Sequence, residues 1–224
     1  MTIIAGIEEA GRGPAIGPLV MCIALIEENK LDILKKIGVK DSKQLTSKIR
    51  KEIFDKLKRS LIYKVKIIEP NEIDSCLKSK ISNLNKLEAQ VSAELTNEML
   101  KQYEINQLIL DCPSINKEAY LKYFKKLIIK NIKIKAEHKA DVNFPIVSAA
   151  SIIAKCIRDE EIEKIKNKYN IDFGSGYPSD EKTINFLKYW YSKYKRFPDF
   201  VRKSWSTISR IKMELDQKKL DNFF

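Results

Sequence analysis

A chain of 224 residues, 44% hydrophobic and 32% charged, is long enough to bury a real core as one large domain or a domain with a small appendage. Forty-two Lys and Arg against thirty Asp and Glu leave a formal charge of +12, which points to a polyanionic partner, most simply nucleic acid, although a basic surface kept for solubility gives the same total. The longest apolar stretches, such as 18–26, fall far short of the ~20 residues of a membrane helix, and no signal-peptide pattern opens the chain, so no membrane partner and a cytoplasmic location are expected. Four scattered cysteines, Cys22, Cys76, Cys112 and Cys156, contain no CxxC pair and are expected to be reduced and buried, neither a disulfide framework nor a zinc site.

Ile3, Ile4 and Ile7 predict a short strand that ends in the adjacent acids Glu8 and Glu9 and runs into the turn Gly11-Arg12-Gly13-Pro14. Carboxylate oxygens are the hard ligands that Mg²⁺ and Mn²⁺ prefer, and glycine on both sides of Arg12 lets backbone approach a nucleic-acid strand. The pattern suggests a metal site facing a phosphodiester; taken alone, the acid pair favours an ordinary solvated junction, because adjacent acids are common on surfaces. The continuous apolar run Leu19 to Ile26 predicts a strand covered on both faces, most economically the hairpin partner of the first. A polar loop, Gly38 to Leu45, in which Lys43 is a candidate phosphate ligand or a plain surface lysine, leads to a helix from Thr46 or Ser47 to Lys58. Leu61 to Ile68 alternates apolar and basic residues, as a half-buried third strand does, and Glu69-Pro70-Asn71 stops it. Helices are predicted over Glu72–Leu77 and Leu84–Tyr103, the second with a core stripe of Leu84, Leu87, Val91, Leu95 and Leu100.

Leu108 to Asp111 repeats the opening grammar, an apolar strand ending in an acid. A helix around Lys117–Ile128 and a strand near Ile132–Ala136 lead through Glu137-His138-Lys139-Ala140 to Asp141, just before a helix from Pro145 to Tyr169. Three element ends thus present acids, and such ends on one rim of an α/β sheet are where chemistry gathers. His138, the one histidine, is either a proton shuttle or an ordinary hydrogen-bonding surface group. In the last third, Gly174 to Ser179 is a turn-rich loop presenting Tyr177, and 188–203 interleaves aromatics with Lys and Arg. That mixture suits a surface tracking a nucleic-acid backbone, or a small helical core with only the cations outside, and both are expected in part. The closing Q-x-x-L-x-x-F-F sets Gln217, Leu220, Phe223 and Phe224 as an interaction plug.

With these pieces assembled, the chain resembles the ribonuclease HII family (type 2 ribonucleases H), in its archaeal branch. The resemblance lies in GIEEAGRGPAIGPLV at 6–20, VKDSKQL at 39–45, LILDCPS at 108–114, EHKADVNFPIVSAASIIAK at 137–155, GSGYPSD at 174–180 and FPDFVRKSW at 197–205. It implies an α/β fold with a ribonuclease-H-like five-stranded mixed sheet flanked by helices, a catalytic domain over 1–170, a basic, aromatic helical subdomain over 171–214 and a sliding-clamp-binding tail over 215–224. It implies catalytic and metal-binding roles for Glu8, Glu9, Asp111 and Asp141 with two divalent cations, Mg²⁺ or Mn²⁺. The implied reaction is endonucleolytic cleavage of the RNA strand of RNA/DNA hybrids and on the 5′ side of single ribonucleotides in duplex DNA. Its products are a 3′-hydroxyl and a 5′-phosphate, and its setting is ribonucleotide excision and primer removal. Backbone groups of Gly11, Arg12 and Gly13 and the hydroxyl of Tyr177 are implied to contact the 2′-hydroxyl, and the clamp to take Gln217, Leu220, Phe223 and Phe224.

Phosphate ligands stay open among Lys43, Lys139, Ser148 and Arg202, and a monomer is expected. The family pattern has Asp-Glu where this chain has Glu8-Glu9. The added methylene moves a carboxylate by about a bond length, which predicts lowered activity or a shift toward Mn²⁺. Two other readings compete: another metal-dependent nuclease on the same core, and a clamp-tethered binding protein whose acidic site is degenerate.

Overall fold

The computed structural model describes residues 2–39, 45–79 and 81–221; Lys43, Phe223 and Phe224 lie outside them, as does the side chain of Leu220. Strands β1 (Ile3–Ala10), β2 (Leu19–Glu27), β3 (Ile62–Ile68), β4 (Ile105–Asp111) and β5 (Lys133–Glu137) form one sheet in the order β3-β2-β1-β4-β5. β1 and β2 are antiparallel, with Glu8 opposite Cys22, whereas β1 pairs with β4 and β4 with β5 in parallel. The sheet is therefore mixed, and helices flank it.

The hairpin follows from the run at 19–26, where every residue of β2 except the last is buried. Val20, Cys22, Ala24 and Ile26 join one apolar cluster with Leu34 of α1 (Leu31–Ile37), Ile53, Phe54 and Leu57 of α2 (Ser47–Ser60) and Ile146–Cys156 of α7 (Pro145–Tyr169). The alternate residues Met21, Ile23 and Leu25 are also buried, as a strand covered on both faces requires. β3 lies at the edge, and its exposed Lys64 and half-buried Lys66 pair with Glu98 and Glu94 of α4 (Leu84–Leu100), charges that suit an edge strand. At Gly6, an added Cβ would lie 2.7 Å from the backbone of Ile146 and Val147. Only glycine lets the first turn of α7 settle this closely on β1, next to the end that carries Glu8.

Several boundaries differ from expectation, each for a local reason. α1 was not anticipated: its seven residues bury only Leu34, and Gly38 at φ 92° ends it. α3 (Pro70–Lys78) begins at the proline that also stops β3, because Pro suits the first helical position and Glu69 and Glu72 form a capping box around it. Asp141, expected just before the helix at Pro145, lies in a one-turn helix of its own, α6 (Ala140–Asn143). The cysteines are free, and Cys22, Cys112 and Cys156 are buried, but Cys76 is half-buried with Sγ 2.9 Å from Ser82 Oγ.

By packing, the chain divides into two units, each discontinuous in sequence. The first comprises residues up to Ala10, Val20–Ile67 and Asn83–Arg158; the second comprises Gly11–Leu19, Ile68–Ser82 and the chain from Asp159 onward. This differs from cuts at 170 and 214, because α7 gives its first half to one core and Ile162 to the other. The second core gathers Ala15, Ile16, Phe173, Leu187, Phe200, Val201, Ile208 and Ile211, the last two from α9 (Ser206–Asp221). No helix among the described residues is long and apolar enough to cross a membrane.

Candidate active site

In the first unit, the ends of β1 and β4 run side by side, Ile7 level with Leu110, so the acids that follow, Glu8 and Asp111, come off adjacent strands. Asp111 Oδ1 accepts the Ala140 N–H at 2.6 Å, which ties β4 to α6 and to the acid it carries, Asp141. Glu8 is 8% exposed and Asp141 2%. Burial, then the negative charges of Asp111 and Asp141, raise the Glu8 carboxyl to about 8, against the pull of Lys155 and of the Glu9 N–H that its Oε2 accepts. Lys139, just before α6, holds a left-handed backbone (φ 55°), a conformation that costs a non-glycine residue energy and clusters at functional sites.

Successive strand residues face opposite sides of a sheet, and the electrostatic surroundings of the two glutamates differ accordingly. Glu8 acts with Asp111, Asp141 and Lys155. Glu9 acts on Cys112 and on Tyr120 of α5 (Lys117–Lys125), both of whose protons are held more tightly, chiefly through burial. His138 places Nδ1 3.0 Å from the Cys112 carbonyl. A carbonyl only accepts, so Nδ1 carries the proton and Nε2 is the basic nitrogen.

Among the described residues, no three His, Cys, Asp or Glu side chains are drawn tightly enough together to hold a metal ion by themselves. The donor set nevertheless fits a divalent cation chemically. It is all hard oxygen, and the repulsion that adds to burial in holding a proton on Glu8 is what a cation would relieve.

In the second unit, the turn that follows β1 in sequence is held by residues far along the chain. Arg202, 0% exposed, donates from Nε to Gly17 O (2.9 Å), from Nη1 to Arg12 O (3.0 Å) and from Nη2 to Gly11 O (2.5 Å). Its guanidinium lies 4.8 Å from the ring centre of Trp205, whose Nε1 donates to Gly13 O at 3.1 Å. The N–H groups of Ala15 and Ile16 both reach Gly176 O, and Tyr177 is exposed with its ring 3.7 Å from where a Cβ on Gly13 would stand. Asp180 Oδ2 takes the N–H and hydroxyl of Ser175, which holds its carboxyl down at about 2 and fixes this loop at the start of α8 (Glu181–Tyr194).

The expected residues therefore fall into two sets: Glu8, Asp111 and Asp141 act on one another electrostatically in the first unit, and Gly13 meets Tyr177 in the second. Of the phosphate candidates, Arg202 and Ser148 are buried, and Lys139 is exposed. The aromatics of the last third divide as well. Phe173 and Phe200 lie in the core with the half-buried Phe186 and Trp190 packed ring to ring beside them, while Tyr189 and Tyr194 are exposed with Lys193 Nζ 5.8 and 5.2 Å from their ring centres. Gln217 is exposed on α9.

Sequence reasoning missed Lys155, a lone cation in the small apolar run at 146–157, which was itself the available signal. It also missed Trp205 and Asp74, whose partners are more than a hundred residues away in sequence.

A family profile described as Ribonuclease HII matches residues 5–208. The chain is 44% identical over 223 residues to a ribonuclease HII of Pyrococcus abyssi, covering 98% of this chain and 96% of that one. The crystal structure of the ribonuclease H2 from Pyrococcus horikoshii OT3 superposes with a TM-score of 0.87 at 41% identity, covering 96% of this chain and all of the other. The structure of a PCNA:RNase HII complex from Archaeoglobus fulgidus gives 0.82 at 36% identity, over 93% of this chain and 96% of the matched one.

Proposed function

This chain belongs to the ribonuclease HII family and is a ribonuclease H, and we propose that it hydrolyses the phosphodiester on the 5′ side of a ribonucleotide, in RNA/DNA hybrids and at single ribonucleotides embedded in duplex DNA, leaving a 3′-hydroxyl and a 5′-phosphate. The observation that carries the reading is the gathering of Glu8, Asp111 and Asp141, whose charges add to burial in raising the Glu8 carboxyl. Glu8, Asp111 and Asp141, together with Glu9, which like Asp111 acts on Cys112, are the residues that would hold Mg²⁺ or Mn²⁺. Bound there, divalent cations supply Lewis acidity at the phosphorus and lower the pKa of an attacking water.

The protein's own groups do the rest. RNA differs from DNA at the 2′-hydroxyl, and the turn Gly11-Arg12-Gly13 with the Tyr177 hydroxyl reads that group. Gly13 lies under the exposed Tyr177 ring, so a backbone and a ring meet the sugar from one unit. The +12 charge attracts a substrate that the acids repel. A role in ribonucleotide excision and primer removal follows from that specificity.

The test is cleavage of duplex DNA containing one ribonucleotide, beside an all-DNA duplex, in Mg²⁺ and separately in Mn²⁺. A single cut 5′ to the ribonucleotide is expected. Cutting of the all-DNA duplex would mean a different nuclease on the same core, and hybrid binding without turnover in either metal would mean a site disabled by Glu8.

The C-terminal Q-x-x-L-x-x-F-F is proposed to bind a sliding clamp, in keeping with the PCNA complex of the Archaeoglobus relative. Deleting 217–224 should abolish clamp binding and spare cleavage of short substrates; clamp binding by the truncated chain would remove that part.

A further inference from the structure

We infer that Arg202 is a positioning residue that gives the Gly11–Gly17 turn the shape in which it distinguishes ribose from deoxyribose. The inference rests on the proposal that this turn meets the 2′-hydroxyl. Arg202 does not touch substrate in this account, because its side chain is wholly buried.

Burying a guanidinium is costly unless its donors are used. Here three of them converge on carbonyls of a single turn, those of Gly11, Arg12 and Gly17. Two of these residues, Gly11 (φ 87°) and Gly17 (φ 88°), sit in the left-handed region, which directs their carbonyls where an ordinary chain would not. Trp205 covers the guanidinium face and takes the Gly13 carbonyl, and the Arg202 N–H takes that of Ala15 at 2.9 Å. Residues 202 and 205 thus engage the carbonyls of 11, 12, 13, 15 and 17.

A trans peptide places its N–H opposite its C=O. With the carbonyls of Gly11 and Arg12 turned to Arg202, the N–H groups of Arg12 and Gly13 point away from it. Two successive N–H groups aimed the same way are suited to meet a hydroxyl oxygen or a phosphate. Gly13 precedes proline, so its carbonyl belongs to a peptide with no N–H, and Trp205 occupies it without removing a donor.

Arg202 is itself fixed from behind. Asp74 of α3, 4% exposed, accepts the N–H of Lys203 (2.8 Å) and both the N–H (2.9 Å) and hydroxyl (2.5 Å) of Ser204. A planar fork with fixed donor directions is needed to reach three carbonyls together, and lysine presents only one compact ammonium.

The test compares Arg202→Lys with the parent in two measurements. The first is hydrogen exchange of segment 11–17 without substrate, expected to speed up roughly tenfold as charged hydrogen bonds are lost. The second is the ratio of kcat/KM, and of affinity in EDTA, between a duplex with one ribonucleotide and its all-DNA counterpart. That preference is expected to fall by ~10²-fold, in line with a small displacement at a reacting centre, while the salt dependence of duplex binding stays as in the parent. Unchanged exchange, or faster exchange with the parental ribose preference intact, would overturn the inference. A parent with no ribose preference would overturn the underlying reading of the turn, and the parent measurement alone reveals that. Should Arg202→Lys fail to fold, Trp205→Phe keeps a ring over the guanidinium, removes only the donor to Gly13, and carries both readouts in the same directions.

Discussion

Glu8 is a long side chain in a place already crowded with negative charge. Its carboxylate turns back onto the Glu9 N–H, and Asp111 and Asp141 help keep it protonated up to about 8. Shortening it should relieve both conditions. Glu8→Asp is expected to raise kcat on a single-ribonucleotide duplex in Mg²⁺, by up to ~10²-fold, and to narrow any advantage of Mn²⁺. Steady-state rates in the two metals check this, and equal parental and variant rates in both would refute it. Gly13 offers the converse case. Its backbone is not in the left-handed region, and an added methyl would sit 3.7 Å from Tyr177, an ordinary contact. Gly13→Ala should therefore leave the melting temperature nearly unchanged while cleavage drops, because the methyl stands on the face proposed to meet the substrate's sugar. At this scale the acids were legible, since each ends a strand or opens a helix. The work of Arg202 was not: a cation in a basic, aromatic stretch reads as surface, and only folding shows that its donors are spent on carbonyls 185 to 191 residues away.

Elements position these residues through a few close approaches. The first turn of α7 lies on β1 at Gly6 with no room for a Cβ, so Gly6→Ala must push backbone from backbone. A loss of about 1–3 kcal/mol is expected, measured by urea unfolding of the intact chain. The Tyr177 loop depends on Asp180, which bonds Ser175 and caps α8. Its carboxyl sits at about 2, below the ordinary 3.8, so the charged form favours the folded state. That contribution is full above pH 4 or so and is lost as the pH falls through about 2. In acid titrations followed by tyrosine fluorescence, Asp180→Asn should start less stable and lose less stability across this interval than the parent. Both ends of α7 were readable from Pro145 and the apolar run after it, and β2 from its unbroken hydrophobicity. α1 was missed because one buried leucine leaves too little periodicity to detect, and α6 because a single turn has none.

On the scale of the whole chain, two apolar clusters divide the sequence in a way no composition boundary marks. The first joins β1, β2 and α2 to the start of α7, well over a hundred residues after β1, yet the sheet and its flanking helices were legible from periodicity and motif order. The second joins a segment beginning at Gly11 to one beginning at Asp159, with 68–82 between them, a grouping set by long-range contacts alone. The aromatic stretch near the C-terminus combines the two features expected of it: part of it packs as a core, and Tyr189 and Tyr194 stay outside beside Lys193.

The reach from Gly17 to Arg202 has a consequence for biosynthesis. Synthesis runs from the amino end, and domains begin to fold as they emerge. The cluster around the acids is supplied by residues up to Cys156, all of them synthesised before Arg202, the clasp of the turn at 11–17. On the roles proposed above, the groups assigned to hydrolysis are made first, and the support assigned to ribose selectivity is among the last parts that translation adds.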